Sequence, residues 1–127
     1  MKKNMVGWFE IPVQNMERAI KFYEAIFQIK IERHTMGALD MGWFPSIEDG
    51  IGSAGSLVYH EKFYKPSADG VLVYFTSQSG DINDELSRVE GAGEKIVMSR
   101  KQISEEYGYM AVIMDTEGNR IALHSRK

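Results

Sequence analysis

Few residues in this chain are of a type and placement that could carry acid–base or metal chemistry. Glu10, in "WFEIPV", stands between residues that read as buried, where a carboxylate is costly unless it is paired or hydrogen-bonded. It is a candidate ligand anchor or general base, its pKa raised by apolar surroundings; the plainer alternative is a structural ion pair or a strand-end Glu reaching water. His124 closes "DTEGNRIALHS", a turn running into a strand: Asp115 opens the turn and Gly118 takes its positive φ. Ile121 and Leu123 then share one face of the strand, Ala122 and His124 the other. Glu10 and His124 form a candidate catalytic acid/base pair acting on a bound organic molecule. The plainer reading of His124 is a surface histidine near the last residue. Adding His60 gives two imidazoles and one carboxylate, a conceivable displaced metal site that no ligand spacing supports. His34 has no partner visible in the sequence. Trp8, Trp43 and Tyr74, with Met110 and Met114, could line an apolar pocket for a flat ligand. Core packing accounts for the two methionines without a ligand.

The elements that must position these residues occur twice. Residues 5–13 read as a strand. Asn15 then caps a helix with Met16, Ile20, Tyr23 and Phe27 on one face, widened by Ala19, Phe22 and Ile26. Three short strands follow near 28–34, 39–44 and 53–59. The second half repeats the order. "GVLVYFTS" is a strand, Asp81 caps a helix striped by Ile82, Leu86 and Val89, "EGAGEK" ends it, and strands follow near 94–99, 107–114 and 120–125. "HEKFYKPSADG" joins the halves as a polar connector or a strap, and "RKQISEEYGYM" reads as a solvated strand connection.

This order predicts an α+β fold of two tandem β-α-β-β-β modules, about 5–60 and 70–126, within a single domain 1–127. Each helix must cover one face of its module's sheet. Phe9, Ile11 and Val13 are expected to face the first helix, with Trp8 and Glu10 opposite. Val71, Val73 and Phe75 are expected to face the second, with Leu72, Tyr74 and Thr76 opposite. Two curved mixed sheets with helices on their backs leave a cup at the front, lined by Trp8, Trp43, Leu72, Tyr74 and Ala122.

Composition narrows the partners. A net charge of −3 with scattered Lys and Arg argues against nucleic acid and anionic membrane, which need clustered positive charge. No stretch approaches the ~20 apolar residues of a membrane span, and "MKKNMVGWFEIPV" lacks the apolar run of a secretory signal. With no cysteine, disulfides, thiolate metal sites and a cysteine nucleophile are excluded. A cytoplasmic location is the expectation.

In "NMERAIKFYEAIF", "DINDELSRVEGAG" and "DTEGNRIAL", set in duplicated order along nearly the whole chain, the sequence resembles the vicinal-oxygen-chelate superfamily: glyoxalase I, bleomycin-resistance proteins and extradiol dioxygenases. That resemblance implies a divalent metal in the cup, held by one side chain on each of the first, fourth, fifth and last strands. There it would act as a Lewis acid on two neighbouring substrate oxygens. Carried over one at a time, the four positions fall on Trp8, on Gly55 to Leu57, on Leu72 and on Ala122. None offers an imidazole or a carboxylate, so the expectation is no metal cofactor. The resemblance then implies a metal-free protein binding a small organic molecule in the cup. Two alternatives stand beside it: a metal-dependent lyase, isomerase or dioxygenase with a relocated site, and a non-catalytic interaction or regulatory module whose cup is plugged by Trp8. Whether it is an enzyme stays open. A homodimer is also implied by the resemblance.

Overall fold

A computed structural model describes residues 1–127. The elements run β1 (Trp8–Pro12), α1 (Met16–Phe27), β2 (Glu32–Met36), β3 (Leu39–Trp43), β4 (Ala54–Tyr59), β5 (Tyr74–Thr76), α2 (Ile82–Val89), β6 (Ile96–Ser104), β7 (Gly108–Met114) and β8 (Arg120–Ser125). They form two four-stranded mixed sheets, ordered β1-β4-β3-β2 and β5-β8-β7-β6, each with one helix. The fold is thus α+β with two β-α-β-β-β modules. In each sheet the first and fourth strands of the module pair in parallel and the other neighbours antiparallel.

Both helices begin where their caps require. Asn15 is extended and its side chain accepts from the Arg18 N–H; Asp81 does the same for the Asn83 N–H. α1 ends at Gln28, which turns left-handed at φ 54° and bonds its N–H to the Glu24 carbonyl. The α1 stripe is buried as its spacing predicts: Met16, Ala19, Phe22, Tyr23, Ile26 and Phe27 all lie inside. Ile82, Leu86 and Val89 of α2 join the same core, as do Ile11, Val13 and Leu57 from the first sheet and Ala111, Ile113, Ile121 and Leu123 from the second. One core therefore lies behind both sheets and holds the two modules together. Phe9 and Phe75, 5.7 Å apart in an edge-to-face pair, join the modules across that core.

The structure departs from the sequence reading in three places. The fifth strand is only Tyr74–Thr76, and Val71 is 93% exposed rather than facing α2. β8 pairs with β5 only from Ala122 to His124, so the ladder has no partner to hold Val71. The "RKQISEEYGYM" connection is a β-hairpin: residues 100–104 lengthen β6 and residues 108–110 begin β7, with Gly108 at φ 83° closing the turn. The second strand starts at Glu32 instead of 28, because the left-handed Gln28 must first turn the chain out of α1.

The "DTEGN" turn does more than reverse the chain. Asp115, Glu117 and Asn119 are all buried polar residues. Asp115 accepts from the backbone N–H of Glu117 and Asn119 and from the Tyr23 hydroxyl on α1. Glu117 Oε1 accepts the backbone N–H of Gln14 and Asn15, and both its oxygens take the Arg18 guanidinium. The Asn119 amide donates to the Pro12 carbonyl, and its oxygen accepts from the Ser67 N–H. A turn of the second module thus completes the start of α1 in the first. Gly118, at φ 92°, supplies the backbone this needs.

Candidate functional site

The strand registers decide which side chains share a front face. Trp8 pairs with Ala54, Glu10 with Ser56, Ser56 with Trp43, and Trp43 with Glu32. With the period-2 alternation, the face of the first sheet turned from α1 carries Trp8, Glu10, Trp43, Ser56, Glu32 and His34. In the second sheet, Tyr74 pairs with Ala122, Ala122 with Val112, and His124 with Met110. Met110, Val112 and Ala122 form a small buried cluster with Leu72 packed on it, separate from the main core.

The first face is aromatic. The Trp8 and Trp43 rings meet edge to face at 6.2 Å, and the His34 ring lies 3.9 Å from Trp43 at 32°. His34 therefore has the partner its sequence position hid, and its Nε2 also lies 3.4 Å from Glu32. Trp8 keeps 44% of its surface exposed, so it lines this face and does not fill it. The Trp43 indole N–H is sealed from solvent with no acceptor. Beside it, a cleft of about 420 Å³ is lined by Lys30, Glu32, Trp43, Phe44, Pro45 and Ser46. A larger concavity, about 560 Å³, opens on the helical side at Asn15, Glu17, Arg18, Lys21 and Thr116. It is shallow and polar, and its Arg18 is already committed to Glu117.

Glu10 reaches the same aromatic face, but it is exposed there and not sheltered among apolar neighbours as its sequence setting suggests. Trp8 Nε1 donates to one of its oxygens at 3.3 Å, and the Tyr64 hydroxyl donates to the other at 2.6 Å. This hydrogen bond to Glu10 is the main reason the Tyr64 hydroxyl is held above its ordinary pKa. Tyr64 comes from the connector, so "HEKFYKPSADG" crosses the front of β1. His60 Nδ1 accepts the backbone N–H of Lys62 and Phe63, which fixes its proton on Nε2 and shapes that segment. His124 lies on the other sheet, its Nε2–H bonded to the Tyr107 carbonyl. Neither a hydrogen bond nor an ion pair joins Glu10 to His124; each has its own local partners.

The four positions implied for a metal are now placed. Trp8 is on β1, and Ser56 is the front-facing residue of 55–57, its hydroxyl bonded to the carbonyls of Gly42 and Leu57. Leu72 and Ala122 are neighbours in the apolar cluster of the second sheet. An indole, a committed hydroxyl and two aliphatic groups do not suit a divalent ion. Nowhere do three His, Asp or Glu side chains converge as a metal would need, His60, His124 and Glu10 included.

The glyoxalase/bleomycin resistance protein/dioxygenase superfamily pattern matches residues 5–123. The chain belongs to this superfamily. Among solved members and relatives, glyoxalase I from Zea mays is similar over 94% of this chain, with a TM-score of 0.68 and 17% identity. The chain spans only 45% of that longer protein. TnmS3, an antibiotic binding protein from Streptomyces sp. CB03234, is similar over 98% of this chain and 97% of its own, with a TM-score of 0.64 and 21% identity. A glyoxylase/bleomycin resistance protein/dioxygenase domain from Frankia sp. EAN1pec covers 99% and 100%, with a TM-score of 0.70 and 12% identity. No curated protein matches this chain. At these identities the superfamily's structures speak for the fold alone. Its chemistry in this member rests on the side chains just described. No helix of the chain is long and apolar enough to cross a membrane.

Proposed function

We propose that this superfamily member binds a small organic molecule on the front of its first sheet, without a resident metal. The observation that carries the reading is the right-angled Trp8–Trp43 pair standing beside Glu10, where the superfamily's first metal ligand would be. Two indoles at a right angle offer large, rigid apolar surface at low entropic cost, and Glu10 fixes orientation. The cleft of about 420 Å³ beside Trp43 is within the ~300–1,000 Å³ usual for ligand pockets. That TnmS3, of similar length and the same fold, is an antibiotic binding protein is consistent with a binding role. Leu72 and Tyr74 supply an apolar wall on the second sheet, over the buried Ala122, and His124 a polar group near it.

The two fronts keep Trp8, Met36, Tyr74 and Met98 exposed, while the modules meet only through their backs. This favours a homodimer in which the first front of one copy meets the second front of the other, enclosing the ligand between them. Light scattering of the purified protein tests the dimer: a monomer at all concentrations refutes it.

The binding reading is tested by incubating the protein with nickel, zinc, manganese and iron, desalting, and measuring retained metal. Stoichiometric retention that is lost in Glu10→Gln or His124→Ala overturns the metal-free reading. In parallel, aromatic compounds are titrated while tryptophan fluorescence is followed. Saturable quenching that Trp8→Ala abolishes is the expected result.

A further inference from the structure

The way Glu10 is held says what kind of molecule this face takes. Two carboxylates of the protein are held by an arginine: Glu117 has Arg18 and Asp40 has Arg33, whereas the buried Asp115 is held by the neutral Tyr23 and Asn119 side chains. Glu10 has no arginine either. No Lys, Arg or His nitrogen lies within ion-pair distance of it; its two oxygens are held by two neutral donors, Trp8 Nε1–H and the Tyr64 hydroxyl. Two neutral hydrogen bonds orient a carboxylate without neutralising its charge. The connector carries Tyr64 to β1, where one of them is made.

The rest of the face has the same sign. By register, the front of the first sheet carries Trp8, Glu10 and Pro12 from β1, Ala54, Ser56 and Val58 from β4, Leu39, Met41 and Trp43 from β3, and Glu32, His34 and Met36 from β2. Two of these are carboxylates and none is Lys or Arg; the cleft beside Trp43 adds one cation, Lys30, next to Glu32 among its lining residues. Arg33 points to the other side with Asp40. Trp8, 44% exposed, stands next to the uncompensated charge and presents an open indole. The hydrogen bond from its N–H to a carboxylate increases electron density in that ring, and a π-face attracts cations.

We propose that the ligand of this face is an organic cation, an ammonium or amidinium group on an aromatic or apolar body. The charge sits at Glu10 and against the Trp8 ring, and the body runs along Trp43. The inference rests on the binding role proposed above and adds the ligand's charge. Glu10 is then an electrostatic anchor, and the neutral donors leave its charge for the ligand. Tyr64 is a positioning residue.

The test is a tryptophan-fluorescence titration with three probes of similar size: benzyltrimethylammonium, benzyl alcohol and benzenesulfonate. The expected result is that the cation binds about tenfold tighter than the alcohol, and the sulfonate most weakly. Glu10→Gln removes the charge and keeps the side chain's shape and one acceptor oxygen, and it should bring the cation's affinity down to about that of the alcohol, a larger loss than the alcohol's own. Tyr64→Phe should weaken the cation less than Glu10→Gln does. Equal affinity for the three probes, or preference for the sulfonate, overturns the charge assignment and leaves aromatic binding standing. Failure of all three to quench at their solubility limits overturns both.

Discussion

The Tyr23 hydroxyl, at the centre of α1, donates a 2.7 Å hydrogen bond to Asp115 in the turn before β8, 92 residues further along the chain. Both residues are fully buried, so the bond ties the modules together where water cannot replace it. Tyr23→Phe leaves Asp115 Oδ2 with only the Asn119 amide and should cost about 1–2 kcal/mol, read as a lower midpoint in urea. Burial first, and then the negative charge of Asp115, push the Tyr23 hydroxyl well above its usual pKa. The folded state therefore holds a proton that the unfolded state gives up. This contribution is complete below pH ~10, the ordinary tyrosine value, and is lost as pH rises from there toward the raised folded value. Tyr23→Phe should flatten the alkaline limb of a stability–pH curve.

Glu117 makes the opposite prediction. Burial pushes its pKa up, but the Arg18 guanidinium, the Asn15 and Gln14 N–H groups and the Thr116 hydroxyl outweigh that and hold it below the ordinary value. Its stabilisation is present above pH ~4.3, the unfolded glutamate value, and is lost as pH falls through the lower folded one. Glu117→Gln should lower stability at neutral pH by about 2 kcal/mol and shrink the loss on acidification. Chemical denaturation at pH 7 and pH 3 checks both. An unchanged acid limb in the variant would show that other carboxylates dominate it.

Gly108 combines φ 83° with no room for a side chain: an added Cβ would strike the Ser125 carbonyl and the Arg126 backbone. Neither neighbour is a flexible side-chain end. Gly108→Ala should cost about 2–4 kcal/mol and loosen the β6–β7 hairpin, seen as faster amide exchange in β7.

Glu85 is 2% exposed on the inner side of α2, and one of its carboxylate oxygens is sealed without a donor. Desolvating that oxygen costs free energy that no hydrogen bond returns. Glu85→Leu should raise stability by about 1 kcal/mol and the Tm by roughly 3–5 °C. A lower Tm would reveal a partner for Glu85 in solution.

How much of this was legible depends on how far apart the partners lie. The α1 face could be read because Met16, Ile20, Tyr23 and Phe27 are spaced by the helix itself, and the Asn15 cap is local. The front-facing set Trp8 and Glu10 followed from alternation along one strand. The Trp43–His34 stack is not legible in the sequence, because it depends on the β2–β3 register placing His34 two pairs along from the Trp43–Glu32 pair, on the same face. Nothing in the sequence marks Tyr64 as the partner of Glu10, because a connector carries no periodicity. Glu117 reads in the sequence only as part of a turn. Its signal, a carboxylate in a glycine turn with an uncommitted arginine in the first turn of a distant helix, has no fixed spacing. "GVLVYF" has strand composition throughout, but composition does not say where the neighbouring strand stops, so it cannot show that Val71 lies outside the ladder.

The carboxylate of Glu117 closes the N-terminus of α1 from 99 to 103 residues away. Synthesis runs in one direction, so α1 leaves the ribosome long before its closing group exists. Until residue 117 emerges, the Gln14 and Asn15 amides and the Arg18 guanidinium must be served by water, and Tyr23 has no Asp115. The first half of the chain is then a nascent segment whose principal helix is complete in sequence but open at its start. The duplicated layout suggests two units that could mature in turn, yet the wiring makes the earlier unit wait for the later one.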